Sequence, residues 1–169
     1  MKTFLLFLLT LVLISCRDNH TDQEPIQKYS AQMGEIPSDA DLDDPDFFLC
    51  SDSGMVHSRI ALSYEGGLSQ LDAECFEVLA LSEERYTYDG LVLVRFIVNC
   101  KKTTGRFRFQ TLDESFAHQE CPAALQEEIK ACVAKLDKWI FIREENREKD
   151  HSKYLNFKFD NGKLLSIIH

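Results

Sequence analysis

The strongest pattern of apolar and polar positions lies between residues 91 and 110. Val92, Val94, Phe96, Val98 and Cys100 fall on one face of an extended segment, because strand side chains alternate with period two. Arg95 and Asn99 share the other face with Leu91, Leu93 and Ile97, so that face is only partly apolar. Phe107 and Phe109 resume the alternation after a polar break at residues 101–105. This predicts an antiparallel hairpin with one face committed to a core.

Two stripes with helical spacing flank the hairpin. Leu68, Leu71, Cys75, Val78 and Leu79 predict a helix over about residues 68–81. Leu125, Ile129, Cys132, Val133 and Leu136 predict a second, with Pro122 in its first turn and the bulky cluster Trp139-Ile140-Phe141 at its end. Leu155, Phe157 and Phe159 then mark a strand over residues 154–159. Asp160-Asn161-Gly162-Lys163 is a two-residue hairpin signal leading to a closing strand at 164–168. Helix, strand, strand, helix, strand predicts an α+β two-layer sandwich, a three- to four-stranded antiparallel sheet with two helices packed on one face.

The N-terminus bears on location. Lys2 precedes an apolar run at residues 4–14, interrupted only by Thr10, and Leu13-Ile14-Ser15-Cys16 closes it. The run is short for a bilayer span and suits a secretory signal. The segment resembles a bacterial lipoprotein signal, residues 1–15, with Cys16 as the lipidated residue after cleavage. Membrane attachment is then through the N-terminal lipid. Arg17, rather than Asp, follows the cysteine, so resemblance to lipoprotein sorting signals favours the outer membrane, at its periplasmic face or the cell surface. Residues 16–46 are rich in acids and poor in large apolar side chains, and read as an acidic flexible tether ahead of a domain at 47–169. Asp39-Ala40-Asp41-Leu42-Asp43 opens like a calcium loop but has Asp44 where the turn needs Gly and Cys50 where a bidentate Glu is needed.

Charge narrows the partners. Residues 1–15 carry Lys2 as their only charge, so their removal takes the net charge from −9 to −10. That balance argues against nucleic acid as a partner. Five cysteines follow Cys16: Cys75 and Cys132 fall on apolar helix faces and read as buried thiols, while Cys50, Cys100 and Cys121 are the disulfide candidates. The histidines are single and scattered, with no Cys-x-x-Cys, His-Glu-x-x-His or Gly-rich phosphate loop. No catalytic, metal or cofactor residue is therefore expected. The competing enzymatic reading, a small secreted hydrolase, would need residues that the fold brings together.

Tyr64-Glu65-Gly66-Gly67, Gly90 before the alternating strand, Gly105 after the turn and Lys138-Trp139 together resemble the C-terminal domain of TonB-type energy transducers. The likeness is to the short lipoprotein-like members of the Bacteroidetes type, and it is strongest over residues 60–169. It implies structural roles for Gly66, Gly67, Gly90, Gly105 and Trp139. It also implies a non-enzymatic envelope protein whose domain binds a protein partner in association with outer-membrane transport. In that family the last sheet edge receives an extended segment of a transporter. Here the corresponding edge is Lys153, Tyr154, Leu155, Asn156, Phe157, Lys158 and Phe159, unless residues 164–168 fold back and cover it. A second candidate surface is the charged stretch 143–152, through Arg143, Arg147 and Lys149. A protein using that loop would be an envelope accessory or structural lipoprotein with no energy-transduction role. Trp139 is read either as a partner anchor or as core.

Overall fold

Alternation in the central hairpin fixes the direction in which the other elements pack. The computed structural model describes residues 36–50, 61–79 and 86–169, with the backbone of 56–57. All of them belong to the unit Gln32–His169. The expected signal segment, Cys16 and the tether up to residue 35 lie outside the described residues, as do 51–55, 58–60 and 80–85.

The chain runs β1 (Val56–His57), β2 (Leu62–Tyr64), α1 (Gly67–Leu79), β3 (Gly90–Val98), β4 (Thr104–Leu112), α2 (Ala123–Ala134), β5 (Trp139–Phe141), a 3-10 turn (Glu144–Asn146), β6 (His151–Asp160) and β7 (Lys163–Ile168). Val92, Val94, Phe96 and Val98 of β3 are fully buried. Their neighbours on β6 are buried with them, Phe157 opposite Val92 and Leu155 opposite Val94. They meet Leu71, Cys75 and Leu79 of α1 and Leu125, Ile129, Cys132 and Val133 of α2 in one core. Both helices thus cover the same sheet face, and the fold is α+β in two layers.

The sheet is wider than expected. Its order is β1–β6–β3–β4, with β7 also paired to β6, and a second sheet joins β2 to β5. All pairings are antiparallel except the two-residue contact of β1 with β6. Trp139, placed by its sequence at a helix end, belongs to β5. The reason is local: the N–H groups of Lys135 and Leu136 turn back to the Cys132 and Val133 carbonyls and end α2. The bulky trio then extends and sets Trp139 opposite Tyr64.

Residues 156–159 do not form an open edge. β6 pairs with β3 from His151 to Phe159 on one side. On the other side β7 covers Asn156 to Asp160, and β1 meets His151 and Ser152. Asn161 and Gly162 have φ of 50° and 74°, the two positive values that a tight primed hairpin turn requires, and they fold β7 back along β6. The covered-edge alternative holds over Asn156 to Phe159, and the open-edge expectation is corrected there.

The stretch expected as a tether is also corrected in part, because Ile36, Pro37 and Asp43 tie its last residues to the domain. Ile36 is buried. Arg108 binds the Asp43 carboxylate at 2.6 and 3.2 Å and donates to the Pro37 carbonyl at 2.7 Å. Arg106 Nε lies 3.7 Å from Asp43. Burial alone would raise the Asp43 pKa, but the bonds from Arg108 and the Asp39 N–H outweigh it and hold the carboxyl below its usual range. Farther along, the Phe47 ring lies against Gly105 so closely that a Cβ there would collide with it. That contact requires glycine.

One ion-pair cluster ties α1 to the second sheet. The Glu74 carboxylate accepts from Lys138 Nζ and Tyr64 Oη, each at 2.6 Å, and from Gln70 Nε2 at 2.9 Å. These bonds, Lys138 first, take the Glu74 pKa from its ordinary 4.5 down to about 2. A depressed carboxylate adds stability above its unfolded pKa and loses it as the pH falls through the folded value. Folding stability therefore declines between about pH 4.5 and 2 through this group. Glu74→Gln should flatten that decline, checked by urea midpoints across the same pH range.

Candidate functional site at the disulfide end of the sheet

The β3–β4 turn, residues 48–50 and the charged loop converge at one end of the sheet. Asn99 is buried and organises the turn. Its Oδ1 accepts from the N–H groups of Lys101 and Thr103 and from the Thr103 hydroxyl, at 3.0, 3.1 and 2.9 Å. Its Nδ2 donates to the Phe48 carbonyl at 3.2 Å. Beside it, Cys50 and Cys100 form a disulfide with Cα atoms 5.9 Å apart. Cys75 and Cys132 are buried free thiols, and Cys121 is also free. Of the three disulfide candidates, Cys121 is therefore the one left out.

The charged loop is anchored to the same place. Asp150 is buried, and both its carboxylate oxygens accept from the Cys50 N–H, at 3.1 and 2.9 Å. His151 Nε2 lies 3.0 Å from the Asn146 carbonyl, and its ring packs 5.0 Å from that of Phe141. Burial lowers the His151 pKa, so the buried ring favours its neutral form. Between turn and loop is a cleft of about 370 Å³ lined by Cys100, Lys102, Ile140, Phe141 and Arg147. Ile140 in the lining is 43% exposed, which places a large aliphatic side chain in solvent beside the cleft's cations.

The expected loop residues divide. Arg147 lines the cleft and pairs with Glu144 at 2.9 Å. Arg143 pairs with Glu145 at 3.5 Å, outside the cleft lining, and Lys149 is half-buried. Exposed pairs of this kind contribute roughly 0–1 kcal/mol, so the guanidinium groups can exchange partners at little cost. Lys102 and Ile140 belong to the cleft and were not singled out by sequence. Once residues 139–141 are extended as β5, period two turns Ile140 away from its buried neighbour Trp139.

The glycines read as structural are held by geometry. Gly66 and Gly67 have φ of 79° and 77° and turn the chain into α1. A Cβ on Gly90 would strike the Leu112 carbonyl. Trp139 is fully buried, its ring 5.0 Å from Tyr64 and 6.0 Å from Phe96. It is core, so the partner-anchor reading of Trp139 falls away.

Among the described residues, no group of three or more His, Cys, Asp or Glu side chains is placed to hold a metal ion. No helix among them is long and apolar enough to cross a membrane. Compared with known proteins, the chain matches no family model, no curated protein and no solved structure.

Proposed function

We propose that this chain is an exported, lipid-anchored binding module of the cell envelope that engages a protein partner at the disulfide-end cleft. The cleft itself carries the reading: an apolar floor with exposed Ile140 and two cations, Lys102 and Arg147, suits an acidic segment bearing an apolar side chain. The Cys50–Cys100 bridge supports an oxidising compartment. The lipoprotein-like segment ending at Cys16 supports an anchor, with the outer membrane favoured. The TonB C-terminal-like relationship and a link to outer-membrane transport belong to the same proposal and rest on the sequence motifs. Strand addition along Asn156 to Phe159 would require β7 to leave, so the cleft is the favoured contact and the accessory role is favoured over energy transduction.

Two variants test this. Cys16→Ser should move the full-length protein from the membrane fraction to the soluble fraction. The double variant Ile140→Ser, Arg147→Ser should lower recovery of the co-purifying partner about tenfold or more, the loss expected from truncating two central contacts. Its melting temperature should stay near that of the parent, since both side chains are exposed. Undiminished recovery of the same partner would remove the cleft from the interface.

A further inference from the structure

A second cavity, of about 210 Å³, lies beside β6 and is separate from the cleft. Leu62, Leu68 and Trp139 supply apolar wall, and Ser63, Lys153 and His169 contribute polar groups. It occurs where the second flank of β6 changes partner. On β6 the pairing with β1 reaches Ser152 and the pairing with β7 starts at Asn156, which leaves Lys153, Tyr154 and Leu155 between them.

Lys153 is the unusual residue. Its ammonium sits 5.8 Å from the centre of the Trp139 ring, and across the ladder it faces buried Phe96. Its ammonium makes no ion pair or hydrogen bond among the described residues, and burial alone lowers its pKa. The carboxylates that touch the cavity wall are already engaged, Asp72 by His169 at 2.7 Å and Glu74 by Tyr64 and Lys138, each at 2.6 Å. Trp139 and His169, both in the cavity wall, each keep a buried ring nitrogen with no hydrogen-bond partner. A partly desolvated ammonium without a counter-ion is costly, and an anion delivered to it recovers that cost.

We infer that this cavity binds a small organic carboxylate, its anionic end on Lys153 and its hydrocarbon part against Leu62, Leu68 and Trp139. Volume sets the size. A cavity of about 150 Å³ takes benzene, so 210 Å³ accommodates one ring or a short aliphatic tail together with a carboxylate. The cation–π contact holds the ammonium in place before the ligand arrives.

Benzoate is a suitable probe, because Trp139 is the chain's only tryptophan and its fluorescence reports on the wall directly. Titration of the full chain should give a saturable fluorescence change and a rise in melting temperature. Neutral benzamide should bind about tenfold to a hundredfold more weakly, the loss expected for one charge-assisted bond. Lys153→Met keeps the aliphatic stem and should weaken benzoate to the same degree. The benzoate–benzamide comparison on the parent chain stands even if that variant fails to fold. Equal binding of the two probes, or no saturable response in either readout, would overturn the assignment.

Discussion

Replacing Trp139 with alanine is expected to cost the domain about 3–5 kcal/mol of folding stability, the range for removing a large aromatic side chain from a packed core. Trp139 has no exposed surface, packs edge-on against Tyr64 at 5.0 Å and lies 6.0 Å from Phe96. It joins the two-stranded sheet to the main core, so its loss opens space that both sheets border. Circular dichroism through a urea titration measures the effect without the lost fluorophore. Trp139→Phe should cost clearly less, because it retains ring contacts to Tyr64 and Phe96. An alanine variant within about 0.5 kcal/mol of the parent, as at an exposed partner anchor, would contradict burial at this position.

Removal of the Cys50–Cys100 bridge should be nearly as damaging. The bridge spans a sequence separation of 50, for which loop-closure entropy corresponds to about 4 kcal/mol of lost stability on the chain-entropy model. More than entropy is involved, since the Cys50 N–H is held by the buried Asp150 carboxylate. Reduction, or the pair Cys50→Ser and Cys100→Ser, should lower the urea midpoint substantially. It should also increase proteolysis within residues 36–50, whose place on the sheet the bridge helps to fix. A midpoint unchanged by reductant would show that the bridge contributes nothing to folding.

What the sequence made legible follows from the range of the signals. Period two in 91–98 and the helical stripes of Leu71, Cys75 and Leu79, and of Leu125, Ile129 and Val133, are local patterns. They located the elements and their buried faces. Asn161-Gly162 marked the final hairpin equally well. Whether β7 returned on the flank of β6 away from β3 depended on tertiary pairing, and so the edge was read two ways. Asp43 reads as solvated among its exposed acidic neighbours because its cation is distant in sequence, Arg108 being separated from it by 65 positions. Trp139-Ile140-Phe141 read as a helix end because the apolar trio is too short to show a period. With that reading, the outward Ile140 and the cleft beside it could not be seen. Asp150 was hidden in the same way, a buried acid inside a run of exposed charge.

The most direct test places a photo-crosslinking residue at Ile140 in the full-length protein, with a second version carrying it at Lys158 on β6. Crosslinks from position 140 to one envelope protein, with position 158 giving none to it, are the expected result. That outcome would establish the disulfide-end cleft as the contact and leave β7 in place over the strand. Crosslinks from position 158 to an extended segment of an outer-membrane transporter, with position 140 silent, would contradict it. β7 would then have to yield its place on β6 to the partner, and the transducer-like mode would replace the cleft.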